Sequence, residues 1–372
     1  PSSSLSRFQV NSVDLRVAAN SNSWSGKVYD VTAATDDESG RLGGWLEHTS
    51  SAGASAWWEV DNVQYYTCRN APVGRIAGAD RYATSAQVAR AFPAGLPTAY
   101  LVSGSDFPDA LAAGALAGRD AAPVLLTKTD SLPGTVATEL QRLGPGRIVV
   151  LGDQSSVSDA AAQAAAAYST SGTVERVAGA NRYATAAAAS ATYPVGVPVA
   201  YVATGQGFPD ALSGSARAGL ADAPLLLVRG DLVPGVVTTE LERLRPGRIV
   251  VLGGPPSVSD AVVEQLRGLT TSGQVQRLAG PDRYATSAAV AQTFPAGAPA
   301  VYVATGTKFP DALSGAALAA RRGAPVLLTR PQGLPSVVAA EISDQDAAEG
   351  VVLGGQPSVH ALVLDQLGGR VG

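Results

Sequence analysis

The sequence predicts an α/β protein made of three tandem modules, and three observations carry that prediction. First, a signature recurs at a fixed interval: RIAGADRYATSA starts at Arg75, RVAGANRYATAA at Arg176 and RLAGPDRYATSA at Arg277, each 101 residues beyond the last. Second, three more signatures keep the same interval without insertion or deletion. They are the FPDAL turns that carry Asp109, Asp210 and Asp311, the APVLLT, APLLLV and APVLLT runs from Ala122, Ala223 and Ala324, and the glycines Gly152, Gly253 and Gly354 that close a VVLG run. Third, short unbroken apolar runs alternate with helix-patterned stretches inside each copy, the mark of a mostly parallel sheet covered on both faces. A repeat of this length is domain-sized rather than a solenoid unit.

In the first copy, Arg75–Gly78 reads as a short strand and Asp80–Phe92 as a helix with Ala83, Ala86, Val88 and Ala89 near one face. Thr98–Ser103 is an apolar, β-branched run and a buried strand. Pro108–Gly118 is an Ala-rich helix with Pro in its first turn, where a missing N–H does no harm. Val124–Thr127 is a strand, a helix follows from about Pro133, and Arg147–Leu151 is another strand. Ser158 then caps a helix over Asp159–Tyr168. Each copy is expected to be a small three-layer α/β domain, with copies over 74–174, 175–275 and 276–372. The connectors Ser169–Glu175 and Thr270–Gln276 are short, so the copies should pack with related geometry. The sequence admits a closed ring with pseudo-threefold symmetry or an open row.

Residues 1–70 have a different texture. They hold all four tryptophans, Trp24, Trp45, Trp57 and Trp58, and alternate polar with apolar residues between Gly, Ser and Asn turns. That is an antiparallel β pattern. The ending WWEVDNVQYY is similar to the last strand of carbohydrate-binding jelly-roll or laminin-G-like sandwiches. Read so, the segment is a truncated sandwich with a carbohydrate ligand; read plainly, it is a β segment whose aromatics are core. The chain starts at Pro1 and contains no Met, as expected of a processed chain or a fragment.

Composition narrows the function. Hydrophobic content is 46% and charged content 16%, so large cores can form. With 27 basic against 31 acidic residues and a net charge of −4, the chain lacks the basic footprint of a nucleic-acid binder. The one cysteine, Cys68, cannot form an internal disulfide. Apolar runs are interrupted well before the ~20 residues of a membrane helix. Of the two histidines, His48 and His360, the second stands where the other copies have the caps Ser158 and Ser259, so it is expected to cap a helix. No Ser-His-Asp set recurs in register. Asp106 and Asp109 are three apart, but Gly207 and Lys308 replace Asp106, which argues against a repeated metal site. GxGxxG and Walker phosphate-loop patterns are absent, and Asp109, Asp210 and Asp311 in a first helical turn would repel phosphate. The expectation is no catalytic residue, no metal and no cofactor.

Anion-binding candidates remain. Arg81, Arg182 and Arg283 each open a helix after a Gly-containing loop, and an arginine can hold phosphate or carboxylate bidentately. Tyr82, Tyr183 and Tyr284 beside them offer flat faces for sugar rings. The plainer reading pairs Arg81 with Asp109 inside one module and puts Tyr82 in the core. Arg75, Arg176 and Arg277, at strand starts, are weaker candidates. Acids and bases nearly balance within the copies, so anion binding must come from local arginine clusters in grooves between them. Three weak sites on one rigid body would gain avidity on a repeating polymer.

The pattern RxAGxxRYATA, FPDALS, APLLL and IVVLGG, carried in register from Arg75 to Gly372, resembles the cell wall-binding repeat 2 family. The resemblance implies three α/β modules, Toprim- or Rossmann-like, packed as a pseudo-trimer. It implies non-covalent attachment of a secreted protein of Gram-positive bacteria to an anionic cell-wall polysaccharide or teichoic-acid-like polymer, with no nucleic acid and no membrane span. The family's APxLL segment falls on Pro123, Leu125 and Leu126, on Pro224, Leu226 and Leu227, and on Pro325, Leu327 and Leu328. Two departures stand out: Asn181 replaces Asp80, and the third copy ends in GRVG. Two other functions stay open: the accessory module of a cell-wall hydrolase whose catalytic domain lies upstream, and a structural surface-assembly protein.

Overall fold

A computed structural model describes residues 71–371, so the β-sandwich reading of residues 1–70 lies outside the described part. The first copy runs β1 (Val73–Ile76), α1 (Arg81–Ala89), β2 (Thr98–Ser103), a 3-10 turn at Ala110–Ala112 leading into α2 (Ala113–Arg119), β3 (Val124–Thr127), α3 (Gly134–Leu143), β4 (Arg147–Leu151) and α4 (Asp159–Ala166). The second runs β5 (Val174–Val177), α5 (Arg182–Ser190), β6 (Val199–Thr204), α6 (Pro209–Leu220), β7 (Leu225–Val228), α7 (Gly235–Leu244), β8 (Arg248–Leu252) and α8 (Asp260–Arg267). The third runs β9 (Gln274–Leu278), α9 (Arg283–Ala291), β10 (Val301–Thr305), α10 (Pro310–Arg321), β11 (Val326–Thr329), α11 (Ser336–Gln345), β12 (Gly350–Leu353) and α12 (Ala361–Gly368).

Local chemistry explains the helix starts. Asp80, Asn181 and Asp282 sit in extended conformation, and their side chains accept backbone N–H bonds from the first turns of α1, α5 and α9. Asn and Asp cap equally well, so the Asn181 departure changes nothing here. Ser158 and Ser259 cap α4 and α8 in the same way, and His360 caps α12 as its place predicts, its Nδ1 accepting from the Leu362 N–H at 3.3 Å. The FPDAL helix departs from the sequence reading in the first copy. There it opens as a 3-10 turn after Asp109, whereas α6 and α10 start at Pro209 and Pro310. Asp106, present only in this copy, accepts from the Phe107 N–H at that point.

Each sheet has four parallel strands, but the four do not come from one copy. The orders are β3-β2-β4-β5, β7-β6-β8-β9 and β11-β10-β12-β1. The RxAG strand of each copy therefore completes the sheet of the preceding one, with Ile148 opposite Val174 and Arg248 opposite Gln274. The third sheet takes β1, with Val73 opposite Gly350 and Ile76 opposite Leu353. The described chain is thus a closed ring, not an open row. The helix after each donated strand packs on the next sheet, α1 on β3, α5 on β7 and α9 on β11. The chain crosses from module to module in the AG turn before each RYAT helix.

At the centre, α2, α6 and α10 pack on one another, one helix from each copy. Small residues permit the approach: a Cβ on Gly118 would lie 2.6 Å from the Ala320 Cβ, and one on Gly219 would lie 2.9 Å from the Gly118 Cα. One continuous buried cluster, including Leu111, Leu212 and Leu313, spans all three copies. Arginines clasp each seam at its far end. Arg119 stacks over Tyr193 at 4.4 Å, Arg217 over Phe294 at 5.6 Å and Arg321 over Phe92 at 5.0 Å. Leu220 replaces this arginine in the second copy, and Arg217, one helical turn earlier, takes its place.

Candidate functional site

Taken in chain order from β2, the strands of the first sheet lie second, first, third, fourth. The winding reverses between β2 and β4, and open α/β sheets bind ligands in that crevice, beyond the carboxyl ends of the strands. Here an acid occupies it. The Ser156 hydroxyl donates to Asp109 Oδ2 at 2.8 Å, directly over Gly152. A Cβ on Gly253 would meet Asp210 Oδ2 at 2.3 Å, and one on Gly354 would meet Asp311 Oδ2 at 2.3 Å. These glycines also hold φ near +100°, so glycine is required there twice over. Asp210 and Asp311 are 8% and 6% exposed, and burial pushes their carboxyl pKa values up. Hydrogen bonds from Ser257 and Ser358 oppose that rise, as does Arg283 for Asp210 and Arg81 with Lys308 for Asp311. A switch point filled by a carboxylate leaves no cradle for a nucleotide phosphate.

The anion candidates Arg81, Arg182 and Arg283 stand where the chain crosses between modules. Each donates through one terminal nitrogen to a backbone carbonyl, of Gly104, Gly205 and Gly306 respectively, at 2.5 Å. The remaining N–H groups of each five-donor fork bond nothing else among the described residues. Arg182 faces Phe107 of the preceding copy at 5.8 Å, and Arg283 faces Phe208 at 6.0 Å. Arg81 lies near Asp311, across the ring closure. The plainer reading, Arg81 paired with Asp109 inside one module, finds no such ion pair among the described residues, and Arg81 acts instead on an acid of another copy, because it follows β1, which lies in the third sheet.

Tyr82, Tyr183 and Tyr284 are half-buried. Each lays a ring edge on a glycine, with Cε1 at 2.6 to 2.9 Å from where a Cβ on Gly104, Gly205 or Gly306 would be. They are wedges beside the arginines with one side left to solvent, and Arg330 lies over the Tyr284 ring at 5.6 Å. The APxLL residues are placed otherwise. Leu125, Leu126, Leu226, Leu227, Leu327 and Leu328 are 0% exposed, and Pro123, Pro224 and Pro325 are buried. They lie on or next to β3, β7 and β11, and their side chains form core. Arg75, Arg176 and Arg277 lie on the donated strands and clamp them, donating to the carbonyls of Gly354, Gly152 and Gly253.

Sequence reasoning missed the three phenylalanines of the FPDAL turns. Phe107, Phe208 and Phe309 meet at centroid distances of 5.6, 6.0 and 6.2 Å, one from each copy, with Arg182 and Arg283 beside the first two. Their recurrence in register at positions 107, 208 and 309 was the available signal. Among the described residues no group of three or more His, Cys, Asp or Glu side chains is placed to hold a metal ion, and no helix is long and apolar enough to cross a membrane.

The model of the Cell wall binding domain 2 (CWB2) family matches residues 75–162, 176–263 and 277–364. Each span starts on the donated strand. The N-acetylmuramoyl-L-alanine amidase LytC of Bacillus subtilis (strain 168) is 28% identical over 295 residues, covering 79% of this chain and 58% of that protein. The Amidase enhancer of the same organism is 29% identical over 296 residues, 79% of this chain and 40% of that protein. Among solved structures, Cwp6 from Clostridium difficile aligns with a TM-score of 0.75 at 25% identity, covering 88% of this chain and 51% of its own. Cwp8 from Clostridium difficile aligns with a TM-score of 0.73 at 28% identity, covering 80% and 51%. The chain thus spans roughly half the length of the proteins it matches. Three matched spans in register, covering well over half of the sequence, place it: the chain belongs to the Cell wall binding domain 2 family, as a triplet of cell-wall-binding repeats.

Proposed function

We propose that the repeats anchor a secreted bacterial surface protein non-covalently to an anionic cell-wall polymer, a polysaccharide or a teichoic-acid-like chain, and that the seams between modules hold it. The observation that carries this reading is the placement of Arg81, Arg182 and Arg283, one at each crossing between modules, each with donors left over among the described residues, and Arg182 and Arg283 next to a phenylalanine ring. A net charge of −4 gives no bulk attraction to a polyanion, so binding has to be local. A guanidinium fork matches a phosphate or carboxylate, and the neighbouring tyrosine and phenylalanine faces suit sugar rings. Three such sites on one ring multiply their affinities along a repeating chain.

The modules are taken as Toprim- or Rossmann-like, in keeping with the doubly wound order of their strands. Copies over 74–174, 175–275 and 276–372 are the sequence units, each sheet being completed by the next unit's first strand, and the all-β reading of residues 1–70 lies outside the described residues. The repeats are read as non-catalytic: His360 is engaged as a helix cap, and the FPDAL acids are engaged with serines and glycines. A second reading, the accessory module of a cell-wall hydrolase, is favoured by the names of the two curated relatives, an amidase and an amidase enhancer. The test is co-sedimentation of the purified chain with Gram-positive cell walls before and after extraction of their anionic polymer. Binding lost on extraction supports the anchor; binding that survives complete extraction contradicts it.

A further inference from the structure

The three seams share a plan but not a charge. Between the first and second copies, Arg182 faces the Phe107 ring and Asp106 stands beside that ring in the chain. Ser156 ties Asp109 to Asp153, its hydroxyl donating to one at 2.8 Å and its N–H to the other at 3.2 Å. Arg176 is neutralised there by Asp159 at 3.0 Å. Between the second and third copies, Gly207 and Gly254 replace Asp106 and Asp153. Arg277 is still held by Asp260, at 2.9 Å. Arg229 of the second copy pairs with Asp231 at 3.1 Å, but its counterpart Arg330 has Gln332 at the matching position and lies over Tyr284 instead.

The closing seam, where β1 joins the third sheet, goes furthest. Lys308 stands where the first copy has Asp106, and Gly355 where it has Asp153. Ala361 replaces the acid that holds Arg176 and Arg277, so among the described residues Arg75 donates only to the carbonyls of Gly354 at 2.6 Å and His360 at 3.4 Å. Arg81 and Lys308 both act on a single buried acid, Asp311, and Arg75 donates to the carbonyl of Gly354, the glycine that lies against that acid. At the first seam, by contrast, Asp106 and Asp153 are two acids that the closing seam lacks, and among the described residues Arg182 has no ion-pair partner.

We propose that the closing seam is the principal site for the anionic groups of the polymer, and that the seam between the first and second copies is the weakest. The proposal rests on the anchoring reading above and adds which seam does the binding. Like charges placed against an anion cost affinity, so Asp106 and Asp153 work against binding at the first seam. Arg81 supplies a fork and Lys308 a point charge for phosphate or carboxylate oxygens. A consequence follows for the fold: the strongest site exists only once the ring is closed.

The test titrates the whole chain with inorganic polyphosphate and, separately, with polygalacturonate at fixed ionic strength, which distinguishes phosphate from carboxylate. Arg81→Gln and Lys308→Asp should each weaken binding by about fivefold or more, Arg182→Gln should weaken it less, and Asp106→Lys should strengthen it. Thermal melts establish that each variant folds, and the exposed positions 106 and 308 serve even if the Arg81 variant does not. Equal losses for Arg81→Gln and Arg182→Gln, or no gain for Asp106→Lys, overturn the inequality and leave the anchoring reading standing. Failure of the unmodified chain to bind either polyanion or polymer-bearing walls overturns the anchoring reading and this proposal with it.

Discussion

Val73 pairs with Gly350 in parallel register, and through that contact the first described strand becomes the edge of the last sheet. A Cβ on Gly350 would lie 2.7 Å from the Leu367 side chain and 3.0 Å from Val73. Gly350→Val should therefore press β1 off its sheet, at a cost of about 1–3 kcal/mol for overpacking. Denaturant unfolding gives the loss of stability, and limited proteolysis gives the place, with new cleavage before α1. Unchanged stability together with a protected N-terminal edge would contradict the closed ring.

The central helices make a second prediction. Gly118→Leu inserts a side chain where Ala320 and Gly219 already stand, and it should destabilise by about 1–3 kcal/mol or more. Gly74→Ala, at a glycine with nothing within 4 Å of the added Cβ, is the control and should change stability little. Equal effects of the two would mean that the three copies do not meet at α2, α6 and α10.

Most strands and helices are legible in the sequence because their signals are local. Thr98–Ser103 and Arg147–Leu151 are apolar runs that only a sheet buried on both faces accommodates, and Ser158 announces α4 within one turn. The partner of a four-residue strand is not local information. Nothing within Val174–Val177 says that it pairs with β4 of the copy before it, and so neither the ring closure nor the company of Arg81 could be read. The site was legible to the same extent: the arginine and tyrosine positions recur in register, but their aromatic neighbours come from another copy. The APxLL leucines illustrate the opposite case, a prominent motif whose side chains are wholly core.

Tyr193 carries a buried hydroxyl with no hydrogen-bond partner among the described residues. The matching residues of the other copies, Phe92 and Phe294, lack that oxygen and keep an arginine stacked above the ring. Tyr193→Phe removes an unsatisfied polar atom and should leave stability unchanged or raise it by up to about 1 kcal/mol. A clear fall in melting temperature would show that the hydroxyl is satisfied in solution.

Glu341 differs from its counterparts. Glu139 and Glu240 are paired with Arg142 and Arg243 at 2.5 and 2.6 Å, but Asp344 occupies the arginine's position in the third copy and Gln345 bonds Glu341 instead. Burial is the main cause that raises its pKa; hydrogen bonds from Gln345 and Gln292 oppose the rise, and Asp344 adds to it. A carboxyl raised on folding favours the folded state when protonated. Its penalty is absent below the unfolded value near 4.5 and grows until pH exceeds the folded value. Glu341→Gln should thus be more stable than the unmodified chain at neutral pH, with the difference vanishing below about pH 4. A difference that stays constant from acid to neutral pH would contradict this.

The most direct test of the account measures binding to polymer-bearing cell walls by the variant Arg81→Gln, Arg182→Gln, Arg283→Gln beside the unmodified chain, each first shown by thermal unfolding to be folded. If the seams hold the polymer, the triple variant loses most of its binding with the fold retained, and the affinity of the unmodified chain falls as salt rises. A folded triple variant that sediments with the walls as fully as the unmodified chain would contradict it.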